Sequence, residues 1–380
     1  MTASNSNIIP FNRPYVAVDQ IKPLELFLTC LGERQSNYFK SQCEALLREL
    51  NVIGGSQAVF FTPSGTAALE MAMLLLDLAP GDEVIVPSYT FVTSASCAVL
   101  RGATPVFVDV DLGSANIMAE SIAEAITEKT RAVVVVHYAG VASDLDQISS
   151  LCNLHGIDLI EDAAQAIGSK WDGRSLGSFG RFSAFSFHHT KNVHCGEGGC
   201  LIVNRESDLE RAHVIYEKGT NRTEFFKGEV DKYLWKDIGS SFELSELAAA
   251  FLMAQLSDYE RNIEARQLNW EYYRSALGHL DGVFPQILNF RSETNGHFYF
   301  LRLTDPLRRP GVIEKAREFG VSLSTHYQPL HSTGPGRLFG RLGQPCTNTD
   351  TVASSILRLP CWPDVDAEKV AKTLIQVLKA

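Results

Sequence analysis

The 380-residue chain has no apolar run approaching the roughly 20 residues that a bilayer span needs. Its opening stretch, MTASNSNIIPFNRPYV, has neither the basic nor the apolar segment of a secretory leader. A cytoplasmic protein with no membrane partner is the expectation. Eight cysteines (30, 43, 97, 152, 195, 200, 346 and 361) form no CxxC pair and lie scattered through apolar or mixed segments. That suits reduced core thiols better than a disulfide framework. Cationic excess is missing too: 34 Lys and Arg stand against 44 Asp and Glu, a net charge of −10. A nucleic-acid or anionic-membrane partner is excluded on average charge, while one local basic pocket for an anionic ligand remains open. No GxxxxGK[ST] occurs, no GxGxxG follows the first apolar run, and there is no internal repeat or low-complexity tract.

What is present is an alternation. AVFF, DEVIVPS, TPVFVDVD, RAVVVVHY and DLIEDAA are short β-branched or apolar runs, and four of the five are followed by a segment with helical spacing. Near-continuous Val and Ile runs separated by helices predict a parallel sheet covered on both faces. RFSAFSFH and GGCLIVN predict two further strands joined by a turn. LSELAAAFLMAQLSDYERNIEARQLNWEYYRSAL reads as one long helix, and VSLSTHYQPL as a late strand. The fold class is therefore α/β: a large, doubly wound, mostly parallel sheet domain over 1–255 and a smaller α/β C-terminal domain over 256–380.

Ligands of such sheets collect beyond the carboxyl ends of the strands. In TPSGTAAL, Gly65 and Thr66 open a helix, whose free N–H groups and dipole attract an anion, although Ser or Thr at a helix start is commonly only a cap. In PSYTFVTS, Tyr89 and Phe91 reach the same rim, as core or as an aromatic plate. In DLIEDAAQAIG, Glu161 and Asp162 are adjacent, so one faces the cleft and the other does not; Gln165 follows. In FSFHHTKNVHCGEGG, Lys191 stands five residues after Ser186, in a turn between two strands. A phosphate cradle, a plate, a buried carboxylate and a lysine together describe a pyridoxal 5′-phosphate site, with Lys191 as the covalent anchor. His188 and His189 are expected to point apart, so no metal site is expected.

GTAALEMA, GDEVIVPSYTFVTSA, GATPVFVDVD, VVVVHYAG, IEDAAQAIG, FSFHHTKN and GEGG, in this order, resemble the sugar-nucleotide aminotransferases of the fold-type I pyridoxal-phosphate superfamily. EKGTNRTEFFKGEVDKYLWKDIGSSF resembles the subgroup of dTDP-4-amino-4,6-dideoxygalactose transaminases, which supply amino sugars for surface polysaccharides and lipopolysaccharide. The resemblance implies catalysis by Lys191, with Asp162 at the pyridine nitrogen and Gln165 at the ring hydroxyl. It further implies Ser186, Gly65 and Thr66 at the phosphate, Phe91 stacked on the ring and Ala164 on its other face. It implies L-glutamate and a nucleotide sugar as substrates, and a homodimer with shared sites. Where the wider family reads Gly-x-Asn-x-Arg, this chain has Gly239-Ser240-Ser241-Phe242-Glu243, so Ser241 replaces the asparagine that a second subunit lends to the phosphate. His326 and His331 resemble a segment near the sugar nucleotide, and Lys218, Arg222 and Lys227 offer charge to a pyrophosphate or a solvated loop face. A gluco-configured or 3-amino product is the alternative. A related dehydratase would carry histidine in place of Lys191, and a cofactor-binding regulator would add a DNA-binding module that this chain lacks.

Overall fold

The computed structural model describes residues 8–15, 21–29 and 37–379, so Cys30 and half of the opening stretch 1–16 lie outside the described residues. Seven strands carry the site: β1 Ala58–Thr62, β2 Glu83–Pro87, β3 Thr104–Val108, β4 Thr130–Val136, β5 Asp158–Asp162, β6 Phe182–Ser186 and β7 Gly199–Val203. Their order is β1-β7-β6-β5-β4-β2-β3, extended past β3 by the two-residue strand Arg341–Leu342. Only β7 runs against the rest. The period of two explains why both faces are apolar. Val133 and Val135 join one core with Ile85, Leu159 and Ile202. Ala132 and Val134 join another with Val84, Ile160 and Leu201.

A second, antiparallel sheet of Val283–Pro285, Tyr299–Leu303 and Ile356–Leu359 packs with the helices Tyr259–Leu277 and Ala367–Lys379. Its core takes in Tyr89, Val110 and Tyr138, which follow the carboxyl ends of β2, β3 and β4. The second sheet therefore roofs the end of the first where a ligand site is expected. Among the described residues no helix is long and apolar enough to cross a membrane.

Two expectations are corrected. The long helix is broken at Asp258 into Glu246–Ser257 and Tyr259–Leu277. Asp258 leaves helical geometry (φ −114°, ψ 20°), and its carboxylate accepts the Tyr15 hydroxyl. VSLSTHYQPL is no strand; it makes isolated bridges only, Val321 to Ile9 and Ser324 to Arg358, because loop backbone here threads between the two sheets.

Glu161 and Asp162 do split across β5. Glu161 is fully buried away from the cleft and accepts from five donors: Gly177 N (2.8 Å), Phe179 N (2.7 Å), Gly180 N (2.8 Å), Ser183 Oγ (3.0 Å) and His137 Nε2 (3.0 Å). His137 Nδ1 accepts from Ser143 N, which leaves the ring proton on Nε2. Burial works to raise the Glu161 pKa, but His137 and the Gly180 and Gly177 N–H groups prevail and hold it below the ordinary value. A depressed folded pKa stabilises above the unfolded value of about 4.3, and the contribution fades as pH falls through the folded value. Glu161→Gln should cost about 3 kcal/mol or more in urea unfolding at pH 7. The gap to wild type should narrow below about pH 4; a gap that is small at pH 7 would contradict this role.

Candidate active site

The site begins with a close approach of three chain segments. Ser64 caps the helix Gly65–Leu75: its Oγ accepts from Ala67 N at 3.0 Å and its carbonyl from Ala68 N at 3.2 Å. The N–H groups of Gly65 and Thr66 are left without an acceptor among the described residues, at the cleft. A Cβ on Gly65 would lie 3.0 Å from Ser186 Cβ, and one on Gly199 would lie 2.5 Å from Gly65 N. Ser186 and Gly199 are register partners in β6 and β7. Glycine at 65 and 199 thus lets the helix start press directly onto two strand ends, with the Ser186 hydroxyl beside the free N–H groups. This is an anion cradle in geometry and in charge.

Asp162 faces the cleft at the end of β5. Its Oδ2 accepts from Ser94 Oγ at 2.6 Å and its Oδ1 from Ala164 N at 3.2 Å, and Ser94 is held in turn by Thr90 Oγ1 at 2.8 Å. Gln165 Oε1 accepts from Ala139 N at 2.7 Å, while its Nε2 donates to Tyr327 Oη at 3.2 Å. Phe91 and Tyr89 part company. Phe91 is 54% exposed at the rim, whereas Tyr89 is fully buried against Tyr138 and Tyr327 and does not line the cleft.

Lys191 sits at the floor, in the turn closed by His189 N to Gly196 O (2.8 Å) and Lys191 N to His188 O (2.8 Å). Its neighbour Asn192 is fixed on three sides: its carbonyl accepts from Asn262 Nδ2 at 2.6 Å, its Nδ2 donates to Asn295 O at 3.1 Å, and its Oδ1 meets His297 Nδ1 at 2.7 Å. Burial pushes the Lys191 ammonium down to about 8; Asp162 opposes the shift and Arg358 adds to it. A lysine near neutrality is suited to both covalent attachment and proton transfer.

The two adjacent histidines do not point apart as expected. Their rings lie 3.9 Å apart between centres, and Glu197 comes within 3.5 Å of His188 across the turn. The turn after β6 ends the alternation of side chains, which is why the strand argument fails there. Donor atoms of the three could reach one ion, but His189 and Glu197 are exposed and His188 is engaged by Thr190 Oγ1 at 2.8 Å.

Eight expected residues therefore line one cleft of about 660 Å³: Gly65, Thr66, Phe91, Asp162, Ala164, Gln165, Ser186 and Lys191. Ser241 is exposed and outside it. Lys218 and Arg222 also lie outside and converge on Glu243, at 3.5 and 3.4 Å. Lys227 lies outside as well. His326 lines the cleft, stacked on Tyr327 at 3.9 Å, while His331 is held elsewhere by Ser88 Oγ at 2.7 Å. The sequence reading missed Ser94, Asn192, Arg266, His297 and Arg358. Only Arg358 carried a signal, as a lone cation inside the apolar run ILRLPCW.

The residues fit pyridoxal 5′-phosphate: unsatisfied donors for the phosphate, an inward carboxylate for the ring nitrogen and a lysine in the same cleft. Gly199→Ala should displace the cradle and weaken pyridoxal-phosphate binding at least about tenfold, as a Cβ at that point collides with backbone. A titration of the cofactor absorbance checks this; unchanged affinity would contradict the cradle.

Comparisons with known proteins agree with the fold. Residues 35–378 match the model of the DegT/DnrJ/EryC1/StrS aminotransferase family. A 3-amino-5-hydroxybenzoate synthase of Amycolatopsis mediterranei is 30% identical, over 82% of this chain and 82% of its own. The aminotransferase TlmJ of Streptoalloteichus hindustanus superposes with a TM-score of 0.88 at 27% identity, covering 98% of this chain and 99% of its own. A DegT/DnrJ/EryC1/StrS aminotransferase of Brucella abortus gives a TM-score of 0.84 at 27% identity, covering 95% and 94%. The chain belongs to the DegT/DnrJ/EryC1/StrS aminotransferase family, whose cofactor is pyridoxal phosphate.

Proposed function

We propose that this transaminase moves an amino group from L-glutamate to C4 of a dTDP-4-keto-6-deoxy-hexose, giving the 4-amino-4,6-dideoxy sugar in the galactose configuration. The observation that carries the reaction type is Lys191 lying in one cleft with the anion cradle and Asp162. The sugar assignment draws on the stretch from Glu217 to Phe242, which resembles that subgroup. When bound, pyridoxal phosphate supplies a carbon reactive toward amines and a ring that takes up electron density. Gly65, Thr66 and Ser186 would hold its phosphate, Asp162 its ring nitrogen, Gln165 its hydroxyl, and Phe91 and Ala164 its two faces.

Lys191 Nζ would hold the cofactor at rest and would be freed to act as a base once the donor is bound. It would then take the donor's α-proton and, in the second half-reaction, deliver a proton to the sugar carbon that gains nitrogen. Asn192, tied to Asn262, Asn295 and His297, keeps the turn still while the side chain moves. The site is proposed to be shared between two copies, with Ser241 of one completing the cradle of the other. In support, Ser241 stands outside its own cleft on a segment that exposes Phe226 (70%) and Trp235 (84%). The two lobes, 1–255 and 256–380, would then frame each cleft. Reduced cysteines and a cytoplasmic location belong to the same reading.

The test is the holoenzyme with L-glutamate and dTDP-4-keto-6-deoxyglucose, the product being read by NMR. An axial amine at C4 supports the assignment; an equatorial amine at C4, or none, overturns it. Lys191→Ala should reduce turnover below detection while the fold persists by circular dichroism. The donor half-reaction should quicken as pH rises through about 8, because only the unprotonated lysine accepts a proton. A rate that falls over that range would contradict Lys191 as the base.

A further inference from the structure

The turn that carries Lys191 also gathers three side chains that the catalytic steps above leave unused: His188 and His189 on its first limb and Glu197 on its second. Backbone hydrogen bonds tie the limbs together: His189 N to Gly196 O at 2.8 Å, Phe187 N to Gly198 O at 2.7 Å and Cys195 N to Phe187 O at 2.9 Å. Residues 188 and 189 are therefore held across from residue 197 before any ligand arrives. The two imidazole rings lie 3.9 Å apart between centres, tilted by 47°. One donor atom from each of the three side chains falls within 4.8 Å of the other two.

A four-coordinate zinc-type ion holds imidazole nitrogen and carboxylate oxygen at about 2.0–2.2 Å, which sets neighbouring donor atoms about 3.3 Å apart. His188 Nε2 and Glu197 Oε1 are already 3.5 Å apart. Exposure leaves His189 and Glu197 free to swing, so side-chain rotation can close the remaining distance. Thr190 Oγ1 occupies only Nδ1 of His188, at 2.8 Å. That hydroxyl can receive a proton on Nδ1, which leaves the Nε2 lone pair for a ligand and fixes the direction of the ring. Such an outer partner is what ligating histidines ordinarily have.

The geometry points to a binding site for one divalent transition-metal ion of the zinc type, held by His188, His189 and Glu197 at the rim of the cleft. Two nitrogens and one oxygen suit zinc and its neighbours in the first transition row, and not magnesium or calcium, which take oxygen ligands. Three protein ligands leave a position to water, so the ion exchanges with solvent instead of being locked in. Because the backbone already fixes the two limbs, little ordering is lost when the ion binds. His188, Thr190, Lys191 and Glu197 all line the cleft. An ion here spans both limbs of the lysine turn beside the cleft and links their side chains as the hydrogen bonds link their main chains. The site is independent of which sugar the enzyme aminates.

Calorimetry of the holoenzyme titrated with zinc chloride tests the site, with magnesium chloride as the oxygen-seeking control. Wild type should take up one zinc ion per chain. His189→Gln and Glu197→Gln should each weaken that binding on the order of tenfold or more. Both positions are exposed, so the variants should fold and show the cofactor absorbance of wild type. Zinc should also raise the thermal unfolding midpoint of wild type more than that of either variant. No zinc uptake by wild type, wild-type affinity for zinc in either variant, or magnesium bound as tightly as zinc, would overturn the site.

Discussion

The whole site depends on how closely the helix Gly65–Leu75 approaches the ends of β6 and β7. Two absent side chains permit it: a Cβ at Gly199 would lie 2.5 Å from Gly65 N, and a Cβ at Gly65 would lie 3.0 Å from Ser186 Cβ. That contact sets free N–H groups beside a serine hydroxyl. It also fixes the origin of the turn that carries Lys191, because β6 and β7 are the turn's two stems. The anion cradle and the cleft lysine are therefore positioned by one packing event.

The next constraint is the two-residue period of β5. Glu161 binds backbone on one side of the sheet, locking the loop Gly177–Gly180, while Asp162 faces the ligand side under Ser94 and Ala164. One strand thus supplies a structural carboxylate and a cleft-facing one in consecutive positions. The electrostatics of the cleft follow the same division. The protein carries a net charge of −10, yet Lys191, Arg266 and Arg358 all line this cavity. Such a pocket suits a phosphorylated cofactor and acidic substrates.

The parallel sheet and the strand-end residues were legible because both rest on local periodicity. Valine runs name buried strands, and a residue just past a strand in this architecture has one place to go. The break at Asp258 was not legible, since it depends on Tyr15, more than two hundred residues away in sequence. The His188–His189 approach was misread because alternation stops where the turn starts. Asn192, His297 and Ser94 gave no sign, as an amide, an imidazole or a hydroxyl acquires its role only from the partner that tertiary folding brings. Arg358 was passed over although it is a lone cation in an apolar run, and that no carboxylate pairs with it among the described residues is seen only in three dimensions.

The central claim is that Lys191, and no other lysine, bears the cofactor. Borohydride reduction of the holoenzyme followed by peptide mass spectrometry tests it directly. The account predicts a phosphopyridoxyl group on the peptide containing Lys191. The same group on a different lysine, or an unmodified Lys191 in a protein that binds the cofactor, would contradict it.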